Sequence, residues 1–141
     1  MTSNRPPRTR INRPASAATR SAIGREMELV RNRLRAGLLT AEPEKTGRIR
    51  AFLGSQLPDG GWRDIDYANN HLVLFEGFRH LQRLEAMALS CAAPSTPLYG
   101  DPALLDALKR GIDLWTRRSP RSKNWWFNQI GSPRSMANIL L

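Results

Sequence analysis

Residues 74–91 read LFEGFRHLQRLEAMALSC, and the spacing of their apolar side chains decides the fold class. Those side chains recur four, three, three, four and three residues apart, at Leu74, Phe78, Leu81, Leu84, Ala88 and Cys91. Steps of three or four residues place side chains on one face of an α-helix, whereas a half-buried strand alternates every second residue. The stretch therefore predicts a helix from about Asn70 to Ala92 with one buried face.

The same helical spacing recurs on both sides of this stretch. Three further apolar stripes predict a first, a second and a fourth helix: Ile23, Met27, Val30, Leu34 and Leu38; Ile49, Phe52, Leu53 and Leu57; Leu104, Leu108, Ile112 and Trp115. Asp101 followed by Pro102 is typical of a helix start, and Pro58 ends the second helix. A fifth segment, residues 127–141, is expected to be interrupted at Gly131 and Pro133. Since no strand pattern accompanies them, the sequence predicts an all-α fold of helical hairpins.

Positive charge is concentrated near the N-terminus. The 141 residues suffice for one domain and carry a formal net charge of +10, of which residues 1–50 supply 12 basic and four acidic side chains. Residues 1–22 contain five arginines, three prolines and no acid. Such a composition cannot offset the entropy of ordering, so residues 1–22 are predicted to be a disordered Arg-rich tail ahead of a domain at 23–141. A nucleic-acid-binding role for this tail is an alternative function.

Several classes of protein are excluded by the sequence as it stands. No apolar run is long enough to span a membrane, so no membrane partner is expected. No signal peptide is visible, which leaves the localisation open. Cys91 is the single cysteine, so an internal disulfide is excluded, and it is expected to be a core residue.

Isolated polar residues give no sign of a metal or cofactor site. His71 and His80 are nine residues apart and have no acidic or cysteine partner at metal-ligand spacing, so both are expected to be polar residues on a helix face. Asp64 and Asp66 follow Trp62 and are expected to cap a helix, with a weak calcium site as the alternative. We therefore predict no metal ligands, no cofactor and no catalytic residues.

The segment QLPDGGW, residues 56–62, predicts a tight turn after the second helix. Glycine allows such a turn, which would place Trp62 back over the helix end while Gln56 and Asp59 satisfy backbone groups. A structural staple between hairpins is the favoured interpretation. The alternative is a single copy of the Q-x-x-D-G-x-W turn of terpene cyclases.

The segment NWWFNQIGSP, residues 124–133, places three aromatic residues in a row. Three consecutive residues cannot all face one core from one helix, so at least one ring is expected near the surface. Indole rings stack on the apolar faces of sugars, and neighbouring amides bond hydroxyl groups. Asn124, Trp125 and Trp126 therefore form a candidate carbohydrate-binding site, the alternative being that both tryptophans fill the core.

Four segments together resemble polysaccharide lyase family 8, which contains hyaluronate, chondroitin AC and xanthan lyases. They are PDGGWRDIDY (58–67), HLQRLEAMA (80–88), the region from Ser95 to Leu108, and NWWFNQIGSP (124–133), in the family's order and spacing. One departure is Gln129, where the family usually carries a glutamate. The similarity covers about residues 24–141.

The resemblance implies the opening helical hairpins of an incomplete α/α toroid. It implies that Trp125 and Trp126 belong to an aromatic patch that positions an acidic polysaccharide, with Asn124 beside them. The family's catalytic Asn, His and Tyr lie further along the chain than these tryptophans, and neither His71 nor His80 matches that histidine. The expected function is thus acidic-polysaccharide binding by a truncated lyase module. The alternative is half of a split lyase that needs a second chain. Family members are usually secreted.

Overall fold

The computed structural model describes residues 16–41 and 43–141, and within these ranges helices joined by turns and loops form the fold, with no strand. Four α-helices span Ala17–Leu38 (α1), Thr46–Ser55 (α2), Glu76–Ala92 (α3) and Pro102–Arg118 (α4). A π-helical turn, Phe127–Gly131, runs directly into α5, Ser132–Leu140. The predicted all-α class is confirmed. None of the described helices is long and apolar enough to cross a membrane.

Helix α3 lies at the centre and packs against α2, α4 and α5. The core is formed by Ile49, Trp62, Ile65, Leu84, Met87, Cys91, Leu98, Leu104, Ala107 and Leu108. Helices α3 and α4 approach closely at Gly111, where a Cβ would stand 2.5 Å from the Leu84 side chain. The predicted burial of Cys91 is confirmed, and that burial raises the pKa of its thiol.

Helix α4 begins as the sequence predicts. The Asp101 carboxylate accepts hydrogen bonds from the backbone N–H groups of Ala103 and Leu104, at 2.8 and 3.3 Å. Pro102 occupies the first turn, where its missing N–H costs nothing. The cap fixes the start of α4 against the end of α3, which forms the hairpin.

Two helix starts differ from the prediction. Helix α1 begins at Ala17, six residues before Ile23, because the Ser16 hydroxyl caps it by accepting from Thr19 N–H. Residues 17–22 are therefore helical and not part of a disordered tail, while residues 1–15 lie outside the described residues. Helix α3 begins at Glu76 instead of Asn70, and Leu74 lies in the preceding loop, 75% exposed.

The fifth segment is continuous where an interruption was expected. Gly131 has helical dihedral angles, φ −60° and ψ −55°, and Pro133 follows within the first turn of α5. The π-helical turn widens the backbone ahead of the proline, so the chain accommodates Pro133 without a break. The side chain of Glu85 on α3 then accepts hydrogen bonds from Ser135 and Asn138, which fixes α5 against α3.

Candidate functional site

The segment that carries the paired tryptophans is fixed to the loop before α3. Ser122 is buried, and its hydroxyl donates to the His71 carbonyl at 3.0 Å. Its backbone N–H donates to Asn128 Oδ1 at 3.0 Å, and Asn128 Nδ2 donates back to the Ser122 carbonyl at 2.7 Å. The Lys123 N–H donates to the Asn70 carbonyl at 3.0 Å. These bonds hold residues 122–128 in one conformation.

Asn124 caps the helix that starts with the tryptophans. Its Oδ1 accepts from Trp126 N–H at 3.0 Å, and its Nδ2 donates to the Leu72 carbonyl at 3.0 Å. One N–H of the amide remains available to a ligand. The half-buried Asn124 therefore orients the tryptophans and ties them to the loop at Leu72.

The indole of Trp126 packs against other aromatic rings of the protein. Its indole contacts Phe78 and Phe127 edge-on, with ring centroids 6.2 and 5.3 Å apart, and Phe127 in turn contacts Phe75. A Cβ at Gly131 would lie 2.6 Å from Trp126 Cζ3, so the glycine makes room for the indole. These contacts fix the position of the ring. Since 39% of Trp126 remains exposed, the ring is also accessible to a ligand.

Trp125 stands further into solvent, with 60% of its surface exposed. Adjacent Trp125 and Trp126 form what we call the tryptophan surface, completed by Asn124. The expectation that at least one ring reaches the surface is confirmed. The core-filling alternative does not describe Trp125, which is more than half exposed.

A shallow depression of about 450 Å³ lies between Lys123 and the loop before α3. Its apolar wall is formed by Leu72, Val73 and Leu74, which are 57%, 84% and 75% exposed. The Leu72 carbonyl accepts a hydrogen bond from Asn124 Nδ2, so the depression adjoins the tryptophan surface. Sequence periodicity placed Leu74 on a buried helix face, and only the start of α3 at Glu76 reveals this exposed wall.

The turn at residues 56–62 is a structural staple, as predicted. Trp62 is 1% exposed, and its Nε1 donates to the Phe52 carbonyl at the end of α2, at 2.9 Å. Gln56 Nε2 donates to the carbonyls of Gly60 and Ala107, which joins the turn to α4. Asp59 Oδ1 accepts from Gly61 N–H at 3.0 Å. Gln56 Oε1 also accepts from Arg110 Nη2 at 3.0 Å, and Asp59 Oδ2 pairs with Arg118 at 3.9 Å, so the polar groups of this turn hold it against α4.

His80 is a core residue, which corrects the prediction that it lies on a polar helix face. It is fully buried, and its Nε2 donates to the Gly111 carbonyl at 2.9 Å. Nδ1 then accepts from the Tyr67 hydroxyl at 2.9 Å, and Tyr67 accepts from Trp62 N–H. Burial lowers the pKa of His80 to about 4, so the imidazole is neutral near pH 7. His71 is exposed and lies in the loop before α3, so it too is not on a helix face.

The two aspartates after Trp62 do not cap a helix. Asp64 Oδ1 accepts from Arg83 Nη1 at 2.8 Å, and Asp64 also pairs with Arg79. The hydrogen bond from Arg83 lowers the pKa of Asp64. Asp66 Oδ1 accepts from Ala68 N–H, which closes a local turn. These contacts fix the chain between the staple and α3.

Comparison with known proteins identifies the class of this helical fold. Residues 38–141 match polysaccharide lyase family 8, N-terminal alpha-helical domain. Because the match covers most of the chain, the protein belongs to this family.

Two individual proteins are also similar to this chain. Chondroitinase-AC of Pedobacter heparinus is 28% identical over 89 residues, which are 63% of this chain and 13% of that protein. The solved structure of a chondroitinase AC lyase, studied as enzyme–oligosaccharide complexes, superposes with a TM-score of 0.70 at 25% identity. That superposition covers 80% of this chain and 17% of the solved chain, so this sequence spans a small part of its relatives' length.

Proposed function

We propose that this chain binds an acidic polysaccharide at the tryptophan surface. The observation that carries the proposal is the pair of adjacent tryptophans, 60% and 39% exposed, held by a capped helix start. Adjacent exposed aromatic side chains that are rigidly supported are typical of a recognition surface.

The geometry suits a sugar chain. An exposed indole offers a flat apolar face to the C–H groups of a sugar ring, and the free N–H of Asn124 can donate to a hydroxyl. The apolar wall at Leu72 to Leu74 extends this surface to one side. A pyranose ring placed on Trp125 would therefore have both apolar and polar partners.

The charge next to the tryptophan surface suits an anion. Lys123 lines the depression, and Arg121 is exposed two residues earlier in the chain. Glu76 also lines the depression, but its Oε2 accepts from Asp66 N–H and so is turned to the protein. The two relatives are named chondroitinase AC, which supports a glycosaminoglycan as the ligand.

The proposed role is binding without cleavage by this chain. The His80 imidazole is enclosed by protein and both its nitrogens are bonded, so it cannot take a proton from a polysaccharide. No other described residue is assigned as a base. Breakage of the glycan by this chain alone, seen as absorbance of an unsaturated uronate, would contradict this part of the proposal.

The test is calorimetric titration of the full chain with chondroitin sulfate and with hyaluronan. Trp125→Ala is expected to weaken binding roughly tenfold or more, since a stacking anchor is lost. Tyr99→Ala is the matched control, because Tyr99 is 59% exposed in the loop between α3 and α4. Its affinity should equal that of the unaltered chain.

The basic tail offers a competing explanation that the same titration separates. Generic attraction by arginines falls steeply with salt and is lost when residues 1–15 are removed. Binding at the tryptophan surface should persist after that removal. If the affinity is lost when residues 1–15 are removed and is unchanged in Trp125→Ala, the proposal is refuted.

A further inference from the structure

Helix α1 precedes nearly all of the residues that the family model matches. It spans Ala17–Leu38, whereas the family match begins at residue 38. None of its 22 residues is buried. A helix of this length extends about 33 Å, so it presents a long uncovered face.

That face is an apolar stripe with coiled-coil spacing. Ile23, Met27, Val30 and Leu34 are 53%, 62%, 49% and 53% exposed. They are spaced four, three and four residues apart, which corresponds to alternating d and a positions of a heptad repeat. Such a stripe is stable in water when it packs against another helix.

We propose that α1 pairs in antiparallel fashion with α1 of a second copy of this chain. The charges that flank the stripe favour this arrangement. Glu26 and Arg33 both occupy g positions, seven residues apart on the same edge. In an antiparallel pair g positions face each other, so each Glu26 meets Arg33 of the second copy and two symmetric ion pairs form.

The contacts within one chain leave these two residues available. Glu26 and Arg33 make no ion pair within the part of the chain that the structure describes. Arg31, on the other edge, already pairs with Glu28 at 3.1 Å and would face Gly24 of the second copy. A parallel pair would instead require Glu26 to meet Arg31, which is engaged. The antiparallel arrangement therefore uses the unpaired charges and creates no like-charge contact.

Other occupants of the stripe fit less well. Residues 1–15 include only Met1 and Ile11 as large apolar residues, too few to cover four. An anionic membrane would favour basic residues along both edges, and Glu26 lies on one of them. A second copy satisfies both the apolar stripe and its charged edge.

The test is sedimentation velocity of the full chain over a range of concentrations. The unaltered chain should form dimers, and Met27→Asp should abolish them at every concentration, because it places a carboxylate in the apolar interface. Glu26→Arg alone and Arg33→Glu alone should each weaken the dimer roughly tenfold, since attractive pairs become repulsive.

The combined variant Glu26→Arg/Arg33→Glu decides the orientation. It restores both ion pairs only in the antiparallel arrangement, so dimerisation should return to within roughly threefold of the unaltered chain. Arg25→Glu, the same charge change on the opposite side of the helix, is the control and should leave the dimer unchanged. Circular dichroism verifies that each variant stays helical.

Three outcomes would overturn the proposal. They are a monomer at all concentrations, a dimer indifferent to Met27→Asp, and no recovery in the combined variant. Binding of the monomer to vesicles of anionic phospholipid, lost with Met27→Asp, would assign the stripe to a membrane surface instead. The same variants should bind glycan with unchanged affinity, because the proposed dimer does not use the tryptophan surface. Failure of the dimer proposal is therefore distinguishable from failure of the glycan proposal.

Discussion

Two segments of this protein contain both tryptophan and glycine, and they use the tryptophan in opposite ways. In residues 56–62 the indole of Trp62 is 1% exposed and donates to the carbonyl of Phe52. In residues 124–131 Trp125 is 60% exposed and Trp126 is 39% exposed. The same residue type thus closes the core in one segment and forms a surface in the other.

The glycines explain the difference. Gly60 has φ +97°, and a Cβ there would lie 2.2 Å from the Arg110 carbonyl oxygen, so the chain reverses tightly against α4. Gly131 is helical and makes room only for the side chain of Trp126. A reversed turn carries its tryptophan back over the preceding helix, whereas a continuing helix presents consecutive tryptophans outward.

The largest effect that tests this comparison is loss of the buried ring. Trp62→Ala should lower the free energy of unfolding by about 3–5 kcal/mol, because it opens a cavity and removes the shorter of the two hydrogen bonds to the Phe52 carbonyl. Trp125→Ala should change it by less than about 1 kcal/mol, as expected of an exposed side chain. Urea unfolding of both variants measures the difference. Equal destabilisation would show that Trp125 supports the fold as much as Trp62 does, which would contradict the comparison.

A second prediction concerns the histidine that contacts the buried turn. His80 has a folded pKa of about 4, below its ordinary value of 6.5, so between these values the unfolded chain binds more protons. The free energy of unfolding should therefore be highest above pH 6.5. It should fall by about 3 kcal/mol as the pH drops toward 4.

The pH dependence of urea unfolding, compared with that of His71→Gln, checks this assignment. His71 is exposed, so its replacement should preserve the slope between pH 4 and 6.5. Asp64 contributes in a separate window, because its pKa lies below the ordinary value of 3.8 and the stability that it adds is lost as the pH falls below that value. An imidazole signal for His80 that titrates near 6.5 by nuclear magnetic resonance would contradict the prediction.

The helices, the staple and the exposed tryptophans could be predicted because their signals are local. Apolar spacing located the buried faces of α3 and α4, and Asp101 marked a helix start. The turn at Trp62 followed from glycine beside residues that can satisfy backbone groups. Each of these inferences depends on neighbours within about ten positions of the chain.

Two of the wrong predictions concern residues whose partners are distant in sequence. His80 donates a hydrogen bond to the carbonyl of Gly111, 31 residues away. Because this bond satisfies the imidazole, a polar side chain can lie in the core at this position. Asp64 pairs with Arg83, 19 residues away, instead of capping a helix. Local spacing also could not show that the apolar face of α1 remains uncovered, because that depends on which helices pack around α3.

The smallest expected effect on stability separates support of the tryptophan surface from support of the fold. Gly131→Ala puts a Cβ 2.6 Å from Trp126 Cζ3, so the indole must move, whereas the helical backbone at this position favours alanine. The two effects oppose each other, and the free energy of unfolding should change by less than about 1 kcal/mol. Glycan affinity should nevertheless fall, by roughly threefold to tenfold, because the displaced ring no longer stands beside Trp125.

Gly54→Ala in α2 is the matched control for this last variant. It replaces another helical glycine, one with no atom within 4 Å of the added Cβ, and should raise stability by up to about 1 kcal/mol without changing affinity. Calorimetric titration with chondroitin sulfate beside urea unfolding measures both quantities. If Gly131→Ala weakens folding but leaves binding intact, Gly131 serves the packing of α5. If binding alone weakens, the glycine fixes the position of Trp126, as the contacts within the protein indicate.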